Sequence, residues 1–301
     1  MNPLLPALVV VALATCGNPQ RGPETPEAIV RAMPDPARIL DLRHGGEEIG
    51  EATMLSDLRA ARAIFLGERH DDPLDHGMQY RILRALHRDD GMLHVGMEMF
   101  ERPFQPVLDD WVAGRLDEEG LRRRTEWDER WGYDIRLYRP LLELARSRAI
   151  PLWALNAPRE LVGAVAHNGL EGLDEPLRAQ LPELVLDDRE HRALFMEAMR
   201  EGHPHADGPE ALERLYQAQL VRDETMAETV VRALDAGASR VVVLAGALHV
   251  RGGHGVPEGV RRRRPSSSYR IVLAVKDDDE EALEELLHAQ PRPADYLWVH
   301  D

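Results

Sequence analysis

Five short apolar runs, each closed by glycine or a polar side chain, constrain the fold of this chain more than any other feature. They are Ala63-Ile64-Phe65-Leu66, Leu93-His94-Val95-Gly96-Met97, Ile150-Pro151-Leu152-Trp153-Ala154-Leu155, Arg240-Val241-Val242-Val243-Leu244-Ala245 and Tyr269-Arg270-Ile271-Val272-Leu273-Ala274-Val275. Runs of this length read as strands buried on both faces. Helical stretches separate them: about 73 to 87, two or more helices within 104 to 148, and a long region from roughly 158 to 235. The alternation predicts an α/β fold with a mostly parallel central sheet and helices on both faces.

The helix after the first strand is well marked. Asp71 or Asp72 can cap it, Pro73 suits its first turn, and Leu74, Met78, Ile82 and Leu86 form its apolar stripe. His76 and Tyr80, four residues apart, share a face beside that stripe. Between the second and third strands lies "TEWDERWGYDIRLYRPLLELAR", which gathers Trp127, Trp131, Tyr133 and Tyr138 among arginines in a chain that is only 5% aromatic. This helical insertion is expected to form a lid; the plainer reading, packing against the sheet, suits Trp127 and Leu141-Leu142 best.

The residues that follow the apolar runs carry the chemistry. The first run leads into Gly67-Glu68-Arg69-His70, the second into Glu98, the third into Asn156, and the run at 240 to 245 into Gly246-Ala247-Leu248-His249. In a parallel sheet the carboxyl ends of the strands lie along one edge, where ligands bind. Burying Glu68 and Glu98 separately would demand a partner for each, so convergence in one crevice is the simpler expectation. A set of Glu68, His70, Glu98 and His249 can act as an acid–base catalyst. Glu68, His70 and His249 can ligate a divalent metal, and the same groups can hold an anionic cofactor. Spacing alone leaves these open. The chain has no His-Glu-x-x-His helix, Gly-x-Ser-x-Gly elbow, phosphate-binding glycine loop or Cys-x-x-Cys-His sequence, which disfavours the usual serine hydrolase and covalent-haem chemistries.

Composition narrows the partners. With 37 basic against 53 acidic residues the formal charge is −16, which argues against nucleic acid and anionic membrane as general partners. The opening "MNPLLPALVVVALATC" has no charged residue and ends at Cys16, the chain's one cysteine. It suits a secretory apolar segment, and Leu13-Ala14-Thr15-Cys16 resembles a bacterial lipobox. The expected organisation is a signal peptide over 1–15, a lipidated tether over 16–35 beginning at Cys16, and one α/β domain over 36–301.

Several blocks in order resemble a known family: "FLGERHDDPLDH" at 65–76, "GMEMFERPFQPVLDDW" at 96–111, "LYRPLLELARSRAIPLWALNAPREL" at 137–161, "YQAQLVRDETMA" at 216–227 and "VLAGALHVRGGHGVP" at 243–257. They are similar to the ChaN-type haem-binding lipoproteins, relatives of the TIKI metalloproteases and, more remotely, of the erythromycin esterases. The resemblance implies haem binding in iron or haem uptake. It implies a lipid-anchored protein on the periplasmic side working with a haem or iron uptake system, and Gly17 after the cysteine, rather than Asp, points to the outer membrane of a Gram-negative bacterium. It also implies a homodimer sharing the haem and a tyrosine ligand to the iron. Tyr133 and Tyr138, with Tyr80 behind them, are the tyrosines to consider, and His76 is a propionate contact. The paired Gly-x-x-His elements, 67–70 and 246–249, are shared with the metalloprotease relatives and keep open a metal-dependent or Glu/His-based hydrolase. A scaffold that retains the cluster without using it is the third reading.

Overall fold

The computed structural model describes residues 35–36, 38–87, 92–202 and 208–300. The expected signal peptide, Cys16 and nearly all of the tether lie outside the described residues. Eight strands form one sheet: β1 (Arg38–Asp41), β2 (Glu47–Glu48), β3 (Ala63–Glu68), β4 (Leu93–Glu101), β5 (Leu152–Asn156), β6 (Arg240–Gly246), β7 (Tyr269–Lys276) and β8 (Tyr296–His300). Their order is β2-β1-β8-β7-β3-β6-β4-β5. The five strands expected from the apolar runs are present, and all pair in parallel. β8 continues the parallel array, while β1 and β2 add an antiparallel edge. That edge was not anticipated, because β1 and β2 are short and partly polar.

The helices are α1 (Glu51–Leu58), α2 (Pro73–His87), α3 (Gln105–Val112), α4 (Glu118–Thr125), α5 (Trp127–Arg130), α6 (Ile135–Arg148), α7 (Arg159–Asn168), α8 (Glu175–Arg178), α9 (Arg189–Gly202), α10 (Pro209–Asp235), α11 (Val256–Arg263) and α12 (Glu280–His288). Strand alternation sorts them onto two faces. Ile64 and Leu66 of β3, with Val242 and Leu244 of β6, meet Met78 and Ile82 of α2 and Leu141 and Leu142 of α6. The intervening Phe65, Val241, Val243 and Ala245 meet Met226 and Val230 of α10, Val260 of α11 and Leu283 of α12. Both faces of the sheet are thus covered, as the unbroken apolar runs require. The cap on α2 is Asp72, whose Oδ1 accepts from the Leu74 amide at 2.9 Å.

The segment from 104 to 148 packs α3 to α6 beside β4 and β5, with Trp111, Trp127 and Tyr138 fully buried. Its outer turn, α5, is clamped to the sheet edge by Arg130, and Arg159 of α7 donates to the Glu129 carbonyl (2.6 Å). Arg130 reaches Glu101 at the end of β4 (2.8 Å), Glu126 (2.8 Å) and Glu160 of α7 (2.9 Å).

Candidate functional site

The strand order sets the site. β6 lies between β3 and β4, so the carboxyl end of β6, at Gly246, is flanked by Glu68 and Glu98. Glu68, His70, Glu98 and His249 converge there as the strand ends suggested. They form two linked halves.

The first half is built on Glu68, which is 3% exposed. Its Oε1 accepts from His70 Nδ1 (2.9 Å) and from the Tyr138 hydroxyl (3.0 Å). Its Oε2 accepts from the Gln79 amide (2.6 Å) and lies 3.1 Å from His76 Nδ1. Four donors saturate a carboxylate. Burial by itself would raise the Glu68 pKa, but the charges and hydrogen bonds of His76 and His70 hold it down to about 2. His76 Nε2 points at the His70 carbonyl oxygen, 3.1 Å away. Both nitrogens of His76 therefore face acceptors, which requires the imidazolium form. Burial opposes that charge, yet Glu68 carries the His76 pKa up to about 9.

The second half is built on Glu98, whose Oε2 accepts from the Gly246 amide (2.7 Å) and whose Oε1 meets His249 Nε2 (3.0 Å). His249 Nδ1 bonds to Asp223 of α10, and the Gln219 amide lies 3.0 Å from the same nitrogen. An imidazole held between two carboxylates is protonated. Against the opposing effect of burial, Glu98 and Asp223 raise its pKa to about 10. Burial would push Glu98 up, but the His249 charge holds it well below the usual carboxylate range.

His70 joins the halves. A Cβ added at Gly246 would sit 2.8 Å from His70 Cε1 and 2.9 Å from Nε2, so glycine is what lets the ring lie across the end of β6. Glu68 fixes Nδ1, and among the described residues Nε2 has no hydrogen-bond partner. The ring is packed against Trp131 (4.7 Å between centroids) and Tyr133 (5.2 Å), which roof the crevice from the segment after α5.

The other expected residues fall elsewhere. Asn156 caps the end of β5, donating to the Glu98 carbonyl (3.1 Å) and accepting from the Ala157 amide (2.9 Å). Tyr138 is fully buried and its hydroxyl is committed to Glu68, so it does not present an oxygen to a haem. His76, 2% exposed and behind Glu68, is a buried counter-ion rather than a propionate contact. Tyr80 packs against the apolar core of the α2 face. Tyr133 is partly buried against the same core, as Tyr80 is, and of the three tyrosines it is the one whose ring lies beside His70 without being fully buried. Its phenol is pushed up to about 12 by burial, with Asp71, Glu98 and Glu68 adding to the effect. Gln79, Asp223 and Gln219 were missed. The last two lie inside the 216–227 block, but a helix of this length offers no period that distinguishes a buried carboxylate from a solvated one.

The expected metal set also needs correction. Among the described residues, the donor atoms of Glu68, His70 and His249 do not meet as a group within 4.8 Å. Among the described residues one His/carboxylate group of three does meet within 4.8 Å, namely Asp72, Asp75 and His300. Its centre is filled by the Arg69 guanidinium: Nη2 lies 2.6 Å from Asp75 Oδ1, 3.2 Å from Asp72 Oδ2 and 3.1 Å from His300 Nε2.

A sequence profile described as "Haem-binding uptake, Tiki superfamily, ChaN" matches residues 54–260. No curated protein matches the chain. Among solved structures, ChaN of Campylobacter jejuni, described with cofacial heme binding, superposes with a TM-score of 0.68 at 20% identity, covering 86% of this chain and 95% of that one. A mutant erythromycin esterase, EreC, in its open conformation gives 0.45 at 13% identity over 79% of this chain and 76% of its own. With the profile spanning most of the α/β domain, from α1 to α11, the chain belongs to the ChaN haem-binding uptake family of the Tiki superfamily.

Proposed function

We propose that the protein binds haem at the rim of this crevice, as an exported, lipid-anchored component of haem or iron uptake. The observation that carries the reading is Tyr133, half-buried beside His70 in a chain whose family is defined by haem binding. Ferric iron supplies the positive charge that a phenolate in this acidic surrounding lacks. The chain's part is to hold the phenol against the rings of Trp131 and His70. The uncharged N-terminal run ending at Cys16 supports export and anchoring. Titration with ferric haem should give a saturable absorption change, weakened at least about tenfold in Tyr133→Phe, as loss of a ligand bond implies. Sedimentation with and without haem tests the dimer. No saturable change in the wild type overturns the proposal.

One observation favours a second reading, acid–base hydrolysis. His70 has Nδ1 fixed by Glu68 and Nε2 open at the crevice, the arrangement of a base that takes a proton from water. Turnover of a chromogenic ester such as p-nitrophenyl acetate, lost together in Glu68→Gln and His70→Ala, would establish it; equal rates in all three proteins would remove it.

A further inference from the structure

The roof over His70 is a short turn with a break at each end. α5 is bounded by Glu126 (φ 51°) and Gly132 (φ 82°), both in the left-handed region, so it neither continues α4 nor leads directly into α6. Glycine takes that conformation freely, whereas a glutamate there is strained. The turn is tied together internally. The Trp131 and Gly132 amides donate to the Trp127 carbonyl (2.9 and 3.1 Å), and Trp127 Nε1 donates to the Tyr133 carbonyl (2.7 Å). These bonds let it move as one body. Its fixed point is the Trp127 ring, fully buried beside Phe100 and Tyr138 at centroid distances of 5.3 and 5.4 Å.

The two sides of the turn are held by different forces. On the inner side Trp131 and Tyr133 meet the His70 ring by packing. On the outer side the ties are polar and run in both directions. Arg130 reaches out to Glu101 and Glu160, while Arg159 of α7 reaches back to the Glu129 carbonyl. Glu101 also accepts from the Arg159 amide (3.0 Å), so one carboxylate joins the end of β4, the start of α7 and the turn. Two of the Arg130 partners, Glu126 and Glu160, have side chains 56% and 63% exposed. Ion pairs open to water are weak and are screened by salt. The outer side is the one that lets go first.

We propose that α5 and residues 131–133 form a gate over the crevice, latched to β4 and α7 by Arg130 and Arg159 and tilting about Trp127 to admit a ligand to His70. Release of the latch lifts Trp131 and Tyr133 from the His70 ring and bares its Nε2. The gate regulates the site of the proposed function and rests on that site being used. Its opening is read at His70 with neither haem nor ester present, so failure of the gate is told apart from failure of either use.

The test is carbethoxylation of the purified full chain by diethyl pyrocarbonate, with the rate at each histidine read by peptide mass analysis. Arg130→Gln should raise the rate at His70 about fivefold or more, as loss of a partly buried ion-pair network implies. Exposed His44 and buried His191 should keep their rates. Raising the salt concentration should speed His70 in the wild type and change it little in Arg130→Gln. Glu160→Gln, a substitution at an exposed side chain that leaves the packing intact, should give a smaller rise in the same direction. An unchanged His70 rate in both variants, or no salt effect in the wild type, overturns the proposal. An equal rise at His191 in Arg130→Gln would show general loosening of the fold instead of a gate, and would overturn it too.

Discussion

Glu68 accepts from four donors on α2, α6 and the loop after β3, so its charge is stabilised by the fold and in turn organises it. His76 is the one of those partners that is both fully buried and protonated, and replacing it leaves a carboxylate without its counter-ion. Breaking a buried ion pair from one side typically costs about 3–5 kcal/mol, whereas removing both charges costs much less. His76→Gln should therefore lower the unfolding free energy by about 3–5 kcal/mol, and Glu68→Gln in the same chain should restore a large part of it. Urea denaturation of the two variants decides the point. Equal destabilisation in the single and double variants would show that Glu68 does not need the His76 charge.

At the scale of elements, the strand ends are tightly packed around two glycines that differ in what they face. A Cβ at Gly67 on β3 would come within 2.4 Å of Leu273 Cδ2 and 3.2 Å of the Ala247 Cα, both parts of the packed interior. A Cβ at Gly246 would meet mainly the His70 ring. Gly67→Ala should thus cost about 1–3 kcal/mol by overpacking. Gly246→Ala should leave the melting temperature closer to wild type while displacing His70 from Trp131, a change that tryptophan fluorescence reports. The reverse ranking in thermal melts would contradict this assignment.

The same elements show what could be read in the sequence. Apolar runs such as 63–66 and 240–245 declared β3 and β6, since strands covered on both faces have no polar alternation to obscure them. The convergence of Glu68, His70, Glu98 and His249 followed from the common edge of a parallel sheet. β8 was missed although Tyr-Leu-Trp-Val-His is buried throughout, because it is short and follows a Pro-rich turn. The closure of each carboxylate by its own histidine was also out of reach. It depends on which way His76 and His249 turn, and no spacing encodes that. Tyr138 misled for a related reason: it lies only five residues beyond Tyr133, but on the buried face of α6 rather than at the rim.

For the whole molecule, the buried ion pairs predict a bounded range of pH stability. His76 and His249 titrate near 9 and 10, above the ordinary 6.5. Their contribution is complete below about pH 6.5 and is lost as the pH rises through those values. Glu68, held at about 2 against an ordinary 4.5, contributes fully above about pH 4.5 and loses its share as the pH falls towards 2. Melting temperature should therefore form a plateau between about pH 5 and 6.5, declining on both sides. A midpoint that climbs from pH 7 to 9 would refute the protonated histidines.

The position of β6 carries a consequence for how the molecule comes into being. β3 and β4 are neighbours in sequence, but neither pairs with the other; each waits for the strand at 240–246 to enter between them. A growing chain that has reached only β5 holds the Glu68 strand with both edges open and the Glu98 strand with one, and no common floor. Pairings so distant in sequence form late and slowly. The crevice is thus absent from every shorter intermediate and arises in the step that closes the sheet. That timing keeps Glu68 and His70 apart from Glu98 and His249 until β6 enters the sheet.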